Sequence, residues 1–465
     1  MSFFKEMLMN LPEVEAPTQR RLSFKEKLKW TAIVLGLFYI LGLIPLFGLG
    51  QNSLQQFEFL SLILGAEFGS IISLGIGPLV TGSIVLQLLN GSGILKFDLT
   101  SHEGKRNFQG VQKLLSIFFV FFESAIYVFM GGLAPDASLV GTVMYLQLQL
   151  VLVFQLFLGG LIIMFMDEVV SKWGFGSGIS LFIAAGVSKT LFVRALSWLP
   201  SPTNPGVASG AIPSLFQSLI AGDPVNAGLM LAGIISTIVV FVIAVYTQAM
   251  KVEIPLSFGR IRGHGIRWPL SFIYTSNIPV ILMAALLANI QLWARLVQQW
   301  FGHPTWFGGF SGNQAITGVA AWLSSPNVVH KVITNSMTFA DVGKALIYMV
   351  VMVAGAVMFS IFWVQTSGMD SRTQAKNMMA SGLQIPGFRR DPRIMESILD
   401  RYIGPLTVMG AITIGFLAAL ADLSGSLVHG TSLLLTVMIV YRLYEDIAKQ
   451  HMYDMHPMMR KFIEI

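Results

Sequence analysis

The stretch VMYLQLQLVLVFQLFLGGLIIMFM, Val143–Met166, carries no charged side chain. As a helix it is long enough to cross a hydrocarbon layer, which takes about 20 apolar residues. Working outward from it, similar apolar runs place further membrane helices near 30–49, 71–90, 111–131, 178–198, 226–249, 269–290, 342–366, 402–421 and 425–444. The sequence therefore predicts an all-α polytopic membrane protein with ten transmembrane helices. Composition agrees, since 54% of the 465 residues are hydrophobic and only 12% are charged, too few to coat a soluble domain of this size. Lys189 and Arg194 interrupt the run at 178–198; their stems are expected to snorkel to the nearer interface and leave Gly178–Ser188 as the buried part.

Charge fixes the orientation. Of the 30 Lys and Arg, 25 fall at the amino terminus, in the loops after spans two, four, six and eight, and in the carboxyl tail; Lys189, Arg194, Arg295, Lys331 and Lys344 fall on the other side. The positive-inside rule then predicts both termini in the cytoplasm, and an even number of spans satisfies it. The net charge of +6 follows from this topogenic excess and calls for no nucleic-acid partner. Residues 1–29, with Arg20, Arg21, Lys25, Glu26, Lys27 and Lys29, read as a cytoplasmic amphipathic helix at the interface, not as a cleaved signal peptide.

Three loops ask for more than topology. The loops at about 250–268 and 367–401 carry Arg260 and Arg262 in SFGRIRGHGIRW and Arg389 and Arg390 in IPGFRRDPR. Their length, with Gly and Pro to shape them, suggests a docking surface for a large acidic partner. The apolar stretch Phe57–Phe68 is too short to cross a bilayer. It precedes LGIGPLVTG, Leu74–Gly82, where Gly75, Gly77 and Pro78 weaken the helix at mid-membrane depth. Backbone freed there must be satisfied by protein or by a water-filled cavity, so a pathway is expected.

A search for chemistry is mostly exclusion. With no Cys there is no disulfide, thiolate nucleophile or Cys-based metal site, and the seven His, closest at His451 and His456, lack zinc-site spacing. GFGSG at Gly174–Gly178 and GIGPLVTG at Gly75–Gly82 follow no strand and precede no Lys, so neither is a phosphate loop. No metal, no cofactor and no catalytic pair are expected, and hence no enzyme. Glu123, in FFVFFESAIYVF, is the one carboxylate read deep in a span; it needs polar partners or a proton. A lone buried carboxylate favours a channel over the alternative, a secondary transporter for a small solute, which would place several ionisable groups at its site.

Four motifs then carry a resemblance over the whole chain, in order: LGIGPLVTGSIVLQLL at Leu74–Leu89, GSGISLFIAAGVSK at Gly176–Lys189, TSNIPVILMAALLANIQL at Thr275–Leu292 and HGTSLLLTVMIVYRLYE at His429–Glu445. Together they resemble the SecY family, the central subunit of the Sec translocon, in its archaeal and eukaryotic-like branch. The resemblance implies two inverted, pseudo-symmetric halves around a central pore. These are a half at 30–200, an external linker at 201–225, a half at 226–445 and a cytoplasmic tail at 446–465. It implies a protein-conducting channel for unfolded secretory polypeptides that also releases transmembrane segments sideways into lipid. A pore ring would consist of Ile76, Val80, Ile179, Ile183, Ile281 and Leu435, with a plug at about 55–70. Thr81, Glu123 and Asn289 would form a polar cluster at the lateral gate. The implied partners are a SecE-like gamma subunit, a small beta subunit, signal sequences and nascent chains, membrane lipid, and the ribosome, whose rRNA would meet Arg260, Arg262, Arg389 and Arg390.

Overall fold

The computed structural model describes residues 11–19, 22–50, 69–91, 94–95, 97, 101–200, 207–258, 265–275, 278–311, 314–380, 383–384 and 391–455. The first half comprises α1 (Phe24–Leu43), α2 (Gly77–Gly91), α3 (His102–Phe129), α4 (Val143–Trp173) and α5 (Gly178–Leu196). A short α6 (Ala211–Ala221) leads to the second half. That half contains α7 (Pro224–Ala249), β1 (Lys251–Phe258), β2 (Gly265–Ser271), α8 (Ile278–Phe301), β3 (Gly309–Ser311), β4 (Gln314–Thr317), α9 (Gly318–Trp322), α10 (Val328–Ile333), α11 (Phe339–Thr366), α12 (Ser371–Ala380), β5 (Leu383–Gln384), α13 (Pro392–Leu423) and α14 (Gly430–Met455). All ten apolar runs are helical over most of their length, and among the described residues seven helices are long and apolar enough by themselves to cross a membrane.

Local chemistry starts these helices. Ser23, Ser101 and Thr142 accept the first free backbone N–H groups of α1, α3 and α4, while Asp223 and Asp391 do so ahead of Pro224 and Pro392 in α7 and α13. One continuous apolar core runs through both halves, with α2 packed on α3, α8 and α11, and α14 packed on α5 and α7.

Several boundaries differ from the sequence reading. Residues 24–29 are not a separate interfacial helix: they form the opening turns of α1, because Ser23 caps a helix that continues through Trp30. The seventh helix begins at Ile278 instead of 269, since the apolar residues up to Ser271 belong to an antiparallel hairpin in which Ile254 faces Trp268. Helix α14 continues to Met455, ten residues beyond Glu445, which closed the second half in the sequence reading, so the tail opens as helix.

The second helix begins at Gly77, not 71. Residues 71–76 form turns although Ile72, Leu74 and Ile76 are almost fully buried. Their backbone is satisfied within the protein, as irregular chain at membrane depth requires: Ile71 N–H donates to Ile44 O (3.0 Å), Gly75 to Ile72 O (2.8 Å) and Gly77 to Leu74 O (3.3 Å). Gly159 on α4 lets this segment lie flat, since a Cβ there would stand 1.9 Å from Ile71 O.

The two basic loops meet. β5 from the second pairs with β1 of the first, Ser257 opposite Gln384, so the sheet order is β2–β1–β5. A second small core, with Ile254, Leu270, Met378 and Leu399, seats this sheet on α12 and α13. Residues 12–15 form an extended strap over the ends of α3 and α4 on the same face of the molecule. Lys113 bonds both Pro12 O and Glu168, Val14 N–H donates to Glu168 (2.9 Å), and Trp173 Nε1 donates to Glu15 O (2.9 Å). The Lys172 ammonium, hydrogen-bonded to Glu13, holds that carboxyl below the usual carboxylate range.

Candidate functional site

A cavity of about 510 Å³ opens between the halves. Its lining includes Ile76 and Val80 of the α2 region, Ile183 on α5, Ile281 on α8 and Leu435 on α14, each no more than 7% exposed. Ile76 and Val80 are four residues apart and joined by the backbone bond Val80 N–H to Ile76 O (3.1 Å), so both side chains point the same way. Ile179 is not among the lining residues. It lies one turn nearer the start of α5, where its backbone N–H donates to Asp167 (2.9 Å) on α4.

The lining also has a charged part. It includes Arg194, His330, Lys331, Asp341, Lys344, Asp422 and His429, and Lys331 pairs with Asp341 at 2.6 Å. Beside them, Asp422 at the end of α13 accepts from Tyr348 on α11 (2.6 Å), from the Thr431 backbone at the start of α14 (2.7 Å) and from the Thr431 hydroxyl. The sequence reading passed over this cluster. Asp422 acts on Thr431, nine residues later in the next helix, so no local capping pattern announces it.

The seam between α2–α3 and α8 is closed by a ladder of contacts. Asn289 Nδ2 donates to Thr81 Oγ1 (2.9 Å), whose own hydroxyl donates to Gly77 O (2.9 Å). Glu123 on α3 is 3% exposed and has Thr81 as its polar neighbour, so the three residues do come together. The cluster is not fully satisfied, for Glu123 Oε1 and Asn289 Oδ1 are buried without a hydrogen-bond partner among the described residues. Further along, the Phe122 and Trp293 rings meet at 5.8 Å, and Gln299 Nε2 donates to Gly131 O (2.9 Å) just past the end of α3. Arg260, Arg262, Arg389, Arg390 and residues 55–68, most of the stretch expected to be the plug, lie outside the described residues.

Comparison with known proteins decides the family, for the SecY family model matches residues 70–444. The chain belongs to the SecY family. It is 46% identical to the protein translocase subunit SecY of Methanothermobacter thermautotrophicus, over 99% of this chain and 98% of that one. A solved protein-conducting channel superposes with a TM-score of 0.81 at 44% identity, covering 97% of this chain and 98% of that one. Sec61 from the canine ribosome–channel complex of the endoplasmic reticulum does so with a TM-score of 0.79 at 43% identity, over 97% of each chain. The chain is thus a multi-pass membrane protein with the ten-helix channel fold, and a channel-forming subunit, not an enzyme. The small-solute transporter finds no support among these relatives.

Proposed function

We propose that the chain is the central pore-forming subunit of a Sec translocon, through which unfolded secretory polypeptides thread and from which transmembrane segments leave sideways. The observation that carries the path is that buried aliphatic side chains from four elements in both halves line one cavity. A constriction of such side chains offers water and ions no hydrogen bonds, so it dewets and seals; it can also deform around any sequence because it recognises no particular group. The ring is Ile76, Val80, Ile183, Ile281 and Leu435, with Ile179 a turn removed. Photo-cross-linkers at 183 and 281 should capture a stalled secretory chain, whereas one at Ile238 on the exposed side of α7 should capture lipid; equal capture of the chain from all three would remove the path.

The seam of Thr81, Glu123 and Asn289 is the lateral gate in this reading, and residues 55–70 are the plug against the outer side of the ring. Family resemblance and charge distribution support a plasma-membrane location with both termini cytoplasmic, a SecE-like subunit and a small beta subunit as partners, and the divisions at 30, 201, 226 and 446. The joined basic loops face the cytoplasm in that orientation. A ribosome is the partner they fit, because rRNA phosphate attracts Arg260, Arg262, Arg389 and Arg390, and a relative of the same fold is a ribosome-bound channel.

A further inference from the structure

The buried carboxylate of Asp422, at the junction of α11, α13 and α14, belongs neither to the ring nor to the seam. Its side chain is 4% exposed, and it faces Tyr348, Thr431 and, with Nδ1 at 4.0 Å, His429. Helix α14 starts at buried residues, and the Thr431 N–H, one of the helix's first free donors, is answered by Asp422. The start of α14 lies directly against the end of α13: a Cβ on Gly430 would stand 1.9 Å from the Ala421 carbonyl carbon. The turn between the two helices is fastened from outside as well. Leu427 N–H donates to Thr237 on α7 (3.0 Å), Ser236 bonds Ser424 (2.6 Å), and Arg194 on α5 donates to Leu427 O (3.2 Å).

Thr431 and Leu435 are four residues apart, so they share one face of α14, and both line the cavity. The same holds for Tyr348 and Met352 on α11, which also line it. Whatever fixes the first turn of α14 therefore fixes where Leu435 stands. We propose that Asp422 is a positioning residue for the constriction: it locks the first turn of α14 to α11 and α13, and so holds Leu435 in the closed ring. This rests on the pore reading above, and it goes beyond it by assigning the closed state to a polar lock outside the ring.

The consequence is specific. Losing the lock leaves the ring's own side chains intact but lets the α14 end of the ring move, so the closed state loses ground to the open one. Asp422→Ala should raise idle ion conductance roughly fivefold, the factor equivalent to losing one helix cap of on the order of 1 kcal/mol. Asp422→Asn keeps an acceptor for the Thr431 N–H and should restore most of the seal. Tyr348→Phe removes one donor while leaving the cap, and should stay near the parent.

A second readout separates positioning from general loosening. The chain has no Cys, so introduced pairs report cleanly. A pair at Ile183 and Leu435 joins two ring residues, and a pair at Thr275 and Ser360, whose hydroxyls lie 3.0 Å apart, reports on the turn before α8 and on α11 twelve residues from Tyr348. Asp422→Ala should lower oxidative cross-linking of the first pair and leave the second unchanged, with Asp422→Asn recovering the first. If Asp422→Ala is as tight as the parent while Ile183→Asn leaks, the lock is wrong and the ring stands. If Ile183→Asn is tight too, the pore reading itself fails. Equal loss of both cross-links would mean that Asp422 serves only overall stability, which also overturns the proposal.

Discussion

Replacing Asn289 by Leu should make the lateral seam harder to open. The side chain makes one interhelical hydrogen bond, to Thr81 at 2.9 Å, and such bonds in membranes average about 0.6 kcal/mol. Its other polar atom, Oδ1, is buried with no partner among the described residues, and a buried unsatisfied acceptor costs about 1–3 kcal/mol. Leu removes both. Thr81 keeps its bond to Gly77 O, so no new donor is stranded. The larger quantity decides the sign: the closed seam gains ~1 kcal/mol, about a fivefold shift in the ratio of closed to open. A mid-segment Leu is worth about 0.3–0.6 kcal/mol toward entering lipid, so a test segment should need about two more leucines to be half inserted. The assay is the inserted fraction of a series of segments with stepped leucine content, read by glycosylation or protease protection. A threshold that stays fixed, or falls, would refute both the sign and the assignment of Asn289 to the seam.

The same structure fixes further outcomes. Glu123→Gln supplies a donor within the cluster that leaves Asn289 Oδ1 unpartnered among the described residues, and should shift the insertion threshold in the same direction as Asn289→Leu; a shift the other way would contradict the cluster. Reversing Arg260, Arg262 or Arg389 to Glu should weaken ribosome docking and flatten its salt dependence without unfolding the channel, and unchanged affinity at fixed salt in all three would remove the docking surface. Gly159→Ala puts a Cβ 1.9 Å from Ile71 O, so thermal stability in detergent should fall by about 1–3 kcal/mol; a parental melting curve would mean that the segment before α2 is free to move. Because Glu13 is held below its ordinary value, its pairing with Lys172 contributes above the usual carboxylate range and is lost as pH falls through the lowered value. Protease cutting within 11–19 should therefore rise in acid, and already at neutral pH in Lys172→Ala.

What could be read from the sequence tracks the range of the forces involved. Ten helices were legible because hydrocarbon imposes length and apolarity on each of them independently, and α4 is helical across the whole run Val143–Met166. Boundaries failed where the apolar signal had another owner. Leu270 and Ile273 look like membrane residues, but Leu270 belongs to the core under the β1–β2 hairpin and Ile273 is packed before α8 begins. The convergence of Thr81, Glu123 and Asn289 came from family resemblance, since nothing in their spacing of dozens of residues requires contact. Asp422 was missed because it sits at the edge of an apolar run and works on the next helix. The strap at 12–15 was missed because an extended segment held by backbone groups, such as Pro12 O and Glu15 O, leaves no side-chain pattern.

The central claim is that Ile183 and Ile281 seal an aqueous path, and idle-channel ion conductance tests it most directly. Asn at either position places a hydrogen-bonding group in the constriction and lowers the cost of a continuous water column through it. Purified channel carrying Ile183→Asn or Ile281→Asn, reconstituted in a planar bilayer without substrate, should conduct ions and should pass secretory chains with defective signal sequences. Leu at the same positions should keep the parental seal, because it preserves an aliphatic surface. Asn variants as tight as the parent, at equal levels of folded channel, would place these side chains away from the path and contradict the account.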